Sequence, residues 1–344
     1  MGRTAPAAAP SGKPATSNGP GSNGYWRRDV YQTPGTYTWT AKKDGRIKIQ
    51  AIGAAAGAAY YLPGASGGYG EKELNVTTGQ TLTIVVGTGG HGIPNNQGVG
   101  TRAGDGTATS ISGTPVGGTA LTIAGATGGG YNDGVNPVSN PGAITGPWDR
   151  SNPGAASSLG GVGSPSSGSP FGPGRAASTN REYGGKGWAE PVANISASSG
   201  THVGGDGTHT AAPTGYKGGR GLVSKAGFRG QGNGYQPYEG TDGEAQPFWD
   251  LASVDSAGGS GATSGTSSPG GNAGPGAGGG AGDSNGTYGG VSALGGGTGW
   301  SAGGLAAPRS GNGGGGGGVG STAGGRGGAG GNGYVQIFWD EVTL

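Results

Sequence analysis

Short runs of alternating apolar and polar residues sit near the start of the chain and again at its end, with a long glycine-rich stretch between. Tyr37, Trp39 and Ala41 share one parity. After Lys43-Asp44-Gly45, Ile47, Ile49 and Ala51 share another, against Arg46, Lys48 and Gln50. Alternation on both sides of an Asp-Gly pair predicts a β-hairpin, with the strands beginning at Tyr37. Lys72–Val76 and Thr81–Val86 flank a Thr78-Gly79 turn, with Leu74 and Val76 facing one way and Leu82, Ile84 and Val86 doing the same. Thr107–Ile111 and Thr119–Ala124 read as two more strands. The last is Tyr334–Trp339, which places Val335, Ile337 and Trp339 on one face. No stretch has the 3.6-residue period of an amphipathic helix.

A second period runs through the glycines. From Gly324 the chain reads GGR-GGA-GGN-G, with glycine at 324, 327, 330 and 333, and Gly64, Gly67 and Gly70 repeat the spacing. Three residues per turn is the period of the polyproline II helix, which has no internal hydrogen bonds and leaves its backbone groups available. Ordering such a chain costs about 1–2 kcal/mol per residue, so it must hydrogen-bond to its own neighbours or stay disordered. A core strand directly after the last repeat favours order, because a disordered segment of this length is an unusual tether for one. The expected fold is therefore all-β, a small antiparallel β-sandwich bracketing a bundle of glycine-rich polyproline II-type helices, with essentially no α-helix. Residues 1–30 read as a flexible Pro/Ser/Gly arm. The strand module spans 31–130 and is completed by 334–340, and 131–333 is the glycine bundle with its loops.

Composition narrows the function. Of 344 residues, 92 are glycine and 22 proline, while only 11% are charged, for a net charge of +2. That balance gives no electrostatic case for nucleic acid or for an anionic membrane surface. No apolar run is long enough to insert in a bilayer, and the N-terminal stretch has no apolar core of the signal-peptide kind. With no cysteine, disulfides do not staple the fold, and the oxidisable side chains are nearly absent. Synthesis in a host cytoplasm followed by release on a particle fits both facts.

Catalytic and cofactor signatures are missing. GxGxxG recurs by chance in so glycine-rich a chain and never opens a strand-to-helix unit, so no cofactor is expected. Gly185-Lys186-Gly187 lacks the spacing of a P-loop. His202, Asp206 and His209 match no structural zinc spacing and read as a polar loop. Gly104-Asp105-Gly106 and Gly205-Asp206-Gly207 read as turn chemistry. Asn75-Val76-Thr77 satisfies a glycosylation sequon without an evident secretory route. The acidic residues are scattered, with no paired-carboxylate or nucleophile–base pattern, so the chain reads as non-enzymatic and without a metal site. What stands out is the aromatic set inside the glycine-rich region: Tyr131, Asn132, Asp133, Trp148, Tyr183, Trp188, Tyr235, Tyr238, Phe248 and Trp249. Aromatic anchors among Ser, Gly and Asn are the composition of adaptable binding loops. The competing reading for each aromatic is packing over an end of the bundle.

The ordered frame GTYTWTAKKDGRIKIQAIGAAAG, GGYGEKELNVTTGQTLTIVVGTGG, GDGTATSISG, ALTIAGATGGG and GGRGGAGGNGYVQIFW resembles the glycine-rich modules of bacteriophage tail proteins. It looks most like the adhesins that cap long tail fibres of T-even-type phages. The resemblance covers roughly 35–130 and 311–339. It implies strands bracketing polyglycine helices, and loops at the helix ends that touch a bacterial receptor, either a glycan or an outer-membrane protein. The expected location is the virion surface, with other virion proteins held through the N-terminal arm. A fibre component would be a homotrimer, whereas the resemblance implies a monomeric cap. A similar module occurs in ectodomains of anaplastic-lymphoma-type receptor kinases, a home that the absent signal peptide, cysteine and transmembrane helix disfavour. The alternative function is structural, a capsid fibre, decoration protein or fibre adaptor using the glycine module as a rigid spacer.

Overall fold

The computed structural model describes residues 27–59, 62–93, 101–128, 138–158, 167–168, 173–174, 208–209, 216–217 and 327–339. Its strands in chain order are β1 Arg27–Tyr31, β2 Gly35–Thr40, β3 Gly45–Ile52, β4 Tyr69–Val76, β5 Thr81–Val86, β6 Thr109–Ser112, β7 Leu121–Ile123, β8 Val138–Ser139, β9 Ile144–Thr145, β10 Arg150–Asn152, β11 Ser157–Ser158, β12 Thr208–His209, β13 Tyr216–Lys217 and β14 Tyr334–Trp339. Two five-stranded antiparallel sheets form, in the orders β1-β14-β3-β4-β10 and β2-β5-β6-β7-β9, and β8 with β11 and β12 with β13 make two short ribbons. Among the described residues the one helical turn is a 3₁₀ turn at Thr114–Val116.

The two large sheets pack face to face. Ile47, Ile49, Ala51, Val76, Val335, Ile337 and Trp339 of the first meet Trp39, Leu82, Ile84, Val86, Ile111, Leu121 and Ile123 of the second in one buried cluster, which Val116 joins from the 3₁₀ turn. The period-2 pattern explains the facing. Ile49 lies opposite Ile337 and Ala51 opposite Val335, so the apolar parity of each strand stacks along one face.

The expected hairpin around Asp44-Gly45 does not form. β2 pairs with β5, whereas β3 pairs with β14 and β4, so Lys42–Asp44 carries the chain from one sheet to the other. A two-residue hairpin turn of the favoured type needs positive φ at its glycine. Gly45 is not among the positive-φ glycines and instead opens β3. Asp44 has a different task. Its carboxylate accepts from the Thr78 backbone N at 2.7 Å and from Thr78 Oγ1 at 2.9 Å, tying this corner to the neighbouring one, where β4 likewise crosses sheets into β5. Those two hydrogen bonds, the backbone one foremost, hold the Asp44 carboxyl below its ordinary range. Two boundaries also move. The first strand starts at Arg27, inside the stretch expected to be arm, rather than at Tyr37. β9 and β10, from the stretch expected to be glycine bundle, add the last strand to each sheet.

At one end of the sandwich the strand connections become a second structure. β3, β5, β7 and β10 all run out at that end, and β4, β6, β9 and β14 all start from it. The segments between them are packed together by backbone hydrogen bonds that step by three residues. Gly53, Ala56 and Ala59 donate to Gly68, Ala65 and Leu62, each at 2.9 Å, and Ala55 and Ala58 donate to Gly331 and Gly328, also at 2.9 Å. Gly327, Gly330 and Gly333 donate to Ile93, Gly90 and Gly87, all at 2.8 Å. Gly57 donates to Gly104 at 3.0 Å, while the Ala54 and Ala55 carbonyls accept from Ala126 and Gly90. A chain that faces a given neighbour once every three residues has the polyproline II period. The 53–59 segment is thus surrounded on all sides, and every one of its residues is buried.

The glycines of this bundle are there for close approach. An added Cβ at Gly57 would fall on the His91 carbonyl, at Gly64 on that of Ala56, at Gly67 on that of Gly53 and at Gly327 on that of Ala58. In 327–333 the glycines are buried, whereas Ala329 and Asn332, three apart, are only half-buried. The one residue per turn that carries a side chain therefore points away from the packed rows, and Asn332 uses its carboxamide oxygen to accept from Gly89 N at 3.1 Å. The N–H groups that the lattice leaves over are capped by other side chains: Thr107 on Thr88, Asp105 on Gly128, and Ser139 on Ala65. Asp105, expected in a turn, is thus a cap on a bundle segment.

Part of the outer face of the first sheet is also buried, with Lys48, Gln50, Glu71 and Gln336 all under 9% exposed. Val30, Gln336, Gln50, Glu71 and Arg150 lie on one rung across all five strands. Gln336 Nε2 donates to Gln50 Oε1 at 2.5 Å and Gln50 Nε2 to Glu71 Oε2 at 2.9 Å. Tyr69 OH also donates to Oε2 at 2.7 Å, and Lys48 Nζ lies 2.9 Å from Oε1. Burial alone would push the Glu71 carboxyl up, but the hydrogen bonds from Gln50, Tyr69 and Lys48 and the lysine charge outweigh it and hold it below the usual glutamate value of 4.5. A group whose folded pKa is depressed stabilises above its unfolded pKa, and that stability is lost as pH falls through the folded value.

Two outcomes follow for stability. Gly57→Ala destabilises by at least ~3 kcal/mol in urea unfolding, because backbone on a neighbouring segment must move. Gly45→Ala, with open space around it, changes stability by less than about 0.5 kcal/mol. Wild-type stability drops as pH falls below 4.5, and Glu71→Gln flattens that limb of the pH profile while lowering the plateau at neutral pH.

Candidate functional site

Of the residues the sequence singles out for binding, Trp148 is described. Tyr131, Asn132, Asp133, Tyr183, Trp188, Tyr235, Tyr238, Phe248 and Trp249 lie outside the described residues, as does the His202–Asp206 part of the histidine cluster. Trp148 sits in the β9–β10 turn, half-buried, and packs against the sandwich core. Its ring occupies the place where a side chain on Gly70 would be. Its Nε1 donates to the Thr145 carbonyl at 3.0 Å. Next to it, the Asp149 carboxylate accepts from Glu73 N at 2.7 Å and pairs with Lys72 Nζ at 2.5 Å, so the turn is fixed onto β4. Burial opposes ionisation of Asp149, but the Glu73 and Lys72 contacts together outweigh it and its pKa is lowered. Trp148 thus closes one lateral side of the sandwich.

The other lateral side is open. β1 and β2 are the edge strands of the two sheets, joined through Gln32–Pro34, and between them lies a cleft of about 310 Å³ lined by Asp29, Tyr31, Thr38, Trp39, Thr40, Lys42 and Trp339. Strand parity accounts for the lining. Asp29 lies opposite Ile337 and Tyr31 opposite Val335, which are core positions, so both point inward from an edge strand. An aspartate pointing inward needs donors. It finds two, since Trp39 Nε1 and Trp339 Nε1 each donate to Asp29 Oδ2 at 3.0 Å. One carboxylate oxygen thereby joins an indole from each sheet, and the two tryptophans are 6% and 8% exposed. Lys42 places its ammonium 5.2 Å from the Trp339 ring centroid, a cation–π contact. Tyr31 stacks at a tilt on Tyr37, with 5.1 Å between ring centroids. Burial, and then the charge of Asp29, push the Tyr31 phenol far up, so it stays a hydrogen-bond donor at any physiological pH.

Nothing in the sequence marks this cleft. Asp29 and Tyr31 fall in what reads as arm, and Trp39 and Trp339 are 300 positions apart. Among the described residues no group of three or more His, Cys, Asp or Glu is placed to hold a metal ion, and no helix is long and apolar enough to cross a membrane. Asn75 of the sequon is exposed on β4.

Asp29→Ala leaves two part-buried indole N–H groups without an acceptor and costs about 2–3 kcal/mol. Asp29→Asn, which keeps an acceptor oxygen, costs less than half of that. The near-UV dichroism of the tryptophans changes in the alanine variant and is largely retained in the asparagine one. Compared with known protein families and with curated proteins, the chain matches none.

Proposed function

We propose that the chain is a non-enzymatic bacteriophage adhesin of the virion surface, which binds a bacterial receptor through segments that interrupt its glycine repeats. The observation that carries this reading is the backbone lattice. Segments that meet every third residue through N–H···O=C bonds, with few and mostly small side chains between them, make a stiff frame of the kind that the resemblance to phage tail-fibre adhesins implies.

Polarity supports it as well. Arg27 pairs with Trp339 on the rung furthest from the bundle, so the chain enters the sandwich at Arg27 and leaves it at Trp339 at one end, while every bundle segment projects from the other. The entry point at Arg27 and a receptor-facing bundle are then at opposite ends of the sandwich. Tyr131, Asn132, Asp133, Tyr183, Trp188, Tyr235, Tyr238, Phe248 and Trp249 belong to the bundle side of the sequence and supply aromatic anchors for a glycan or an outer-membrane protein. Trp148 differs from these, because its ring is committed to the sandwich.

Fluorescently labelled protein stains bacteria that the phage infects and competes with phage for adsorption at micromolar concentration. Failure in both assays with folded protein would sink the adhesin reading and leave the rigid-spacer role in the virion.

A further inference from the structure

We infer that the cleft between β1 and β2 is a binding site for a neutral saccharide unit, of mono- or disaccharide size. Its volume of about 310 Å³ lies at the lower end of small-ligand pockets, which run from about 300 to 1,000 Å³. The chemistry of its lining is more specific than its size.

Both indole N–H groups are spent on Asp29 Oδ2, and Oδ1 carries no hydrogen bond among the described residues. The Lys42 ammonium touches the Trp339 ring and makes no ion pair among the described residues. The hydroxyls of Thr38 and Thr40, exposed on the edge strand, have no hydrogen bond among the described residues either. The cleft thus offers one strong acceptor and one strong donor beside the Tyr31 ring and the rims of two indoles, with Thr38 and Thr40, whose parity is opposite to that of Trp39, on its outer lip.

A ligand that uses this set must carry donors and acceptors on neighbouring atoms together with an apolar surface. Sugar rings do so, with vicinal hydroxyls at the rim and C–H faces that lie against aromatic groups. The charges of Asp29 and Lys42 cancel, so an ionic ligand gains little net attraction. A nucleobase needs a whole open ring face to stack on, which the tryptophans, over nine-tenths buried and one of them covered by Lys42, do not give, whereas the C–H groups of a sugar need only the open part of the half-buried Tyr31 ring. The pre-formed bridge from Asp29 to both indoles holds the acceptor in place before binding, which lowers the ordering cost of binding.

The site lies on a lateral side of the sandwich and is lined by strand-module residues alone, so it does not rest on the adhesin reading. Loss of cell staining with saccharide binding intact would overturn the adhesin alone.

The test is a titration of the full chain with neutral hexoses, N-acetylhexosamines and their disaccharides, followed by the indole N–H resonances of Trp39 and Trp339. At least one sugar shifts both signals and saturates with a millimolar dissociation constant, corresponding to about −4 kcal/mol. Thr38→Val, nearly isosteric and on an exposed strand position, weakens that binding about fivefold or more, as does Lys42→Ala, with the rest of the spectrum unchanged. The proposal is overturned if no sugar moves the two indole signals at roughly 50 mM, a concentration well above such a constant. It is equally overturned if both variants bind as wild type does, or if sulfate or a uronic acid binds better than every neutral sugar.

Discussion

Much of this structure depends on backbones approaching one another where a Cβ would otherwise stand. In the bundle, the carbonyl oxygen of one segment occupies the space in which the neighbouring glycine would carry a side chain. At that distance each N–H reaches a partner in another segment, and a segment with three neighbours satisfies its polar groups in three directions. A polyproline II helix bonds nothing to itself, so burying it alone would orphan every polar group, at a cost of about 1–3 kcal/mol each. Burial and close approach therefore stand or fall together. Alanine is accepted where a neighbouring segment leaves room for its Cβ: Ala54, Ala55, Ala56, Ala58 and Ala59 are all fully buried, with Ala56 against Ala65 and Ala126 and Ala59 against Leu62, Ile93 and Ala103. Gly57, in the same segment, lies against the His91 carbonyl.

The sandwich supplies what the lattice cannot supply for itself, which is registration. Such segments have few side-chain knobs to set how far one slides along another, chiefly the clusters of Ala56 with Ala65 and Ala126 and of Leu62 with Ala59, Ile93 and Ala103, and their backbone contacts recur every three residues. Strand pairing removes that freedom. Gly333 donates to Gly87 one residue before β14 begins and one residue after β5 ends. Gly53 and Gly68 meet just beyond the β3–β4 pair. The apolar core, where Ile49 faces Ile337 and Tyr37 faces Ile84, fixes the strands by parity, and the strands fix the phase of each glycine segment. Thr109, reaching from β6 to Gly87 N at 3.2 Å, joins the two layers at their boundary.

The sequence was legible where a period ran long enough to be counted. Over the described residues 327–333 the repeat is found, as is the strand after it, because glycine recurs at third positions through the one and six residues of the other lie in a row. The bundle segments at 103–107 and 124–128 span barely two turns, too short for a period to show. The expected hairpin failed for a different reason. Asp-Gly announces that the chain turns back, but partner choice depends on which apolar faces must meet, and β3 finds β14 nearly 300 residues away. Polar alternation also says nothing of burial in the first sheet, where Gln50 and Lys48 satisfy Glu71 on a face that is closed over. The cleft was illegible because its acceptor and its two indoles come from three strands whose adjacency depends on that same long-range pairing.

A frame built this way separates shape from side-chain identity. In an ordinary domain the residues that hold the fold also fill its interior, so a binding surface competes with the core for sequence. Here two rows in every three of the 327–333 segment are held by backbone alone, and the third row, with Ala329 and Asn332, points outward and is restrained only locally. Interruptions of the repeat can then vary in length and composition without disturbing the lattice, as long as the chain re-enters it in phase. The larger side-chain contributions to the structure lie in the core and at the two lateral sides of the sandwich. One side is shut by Trp148 over Gly70. The other is spanned by Asp29 between Trp39 and Trp339, which leaves polar groups facing a cleft instead of sealing it. The two closures differ because an indole over a glycine fills space completely, whereas a carboxylate bridge fixes two rings by their edges and leaves the volume beside them open.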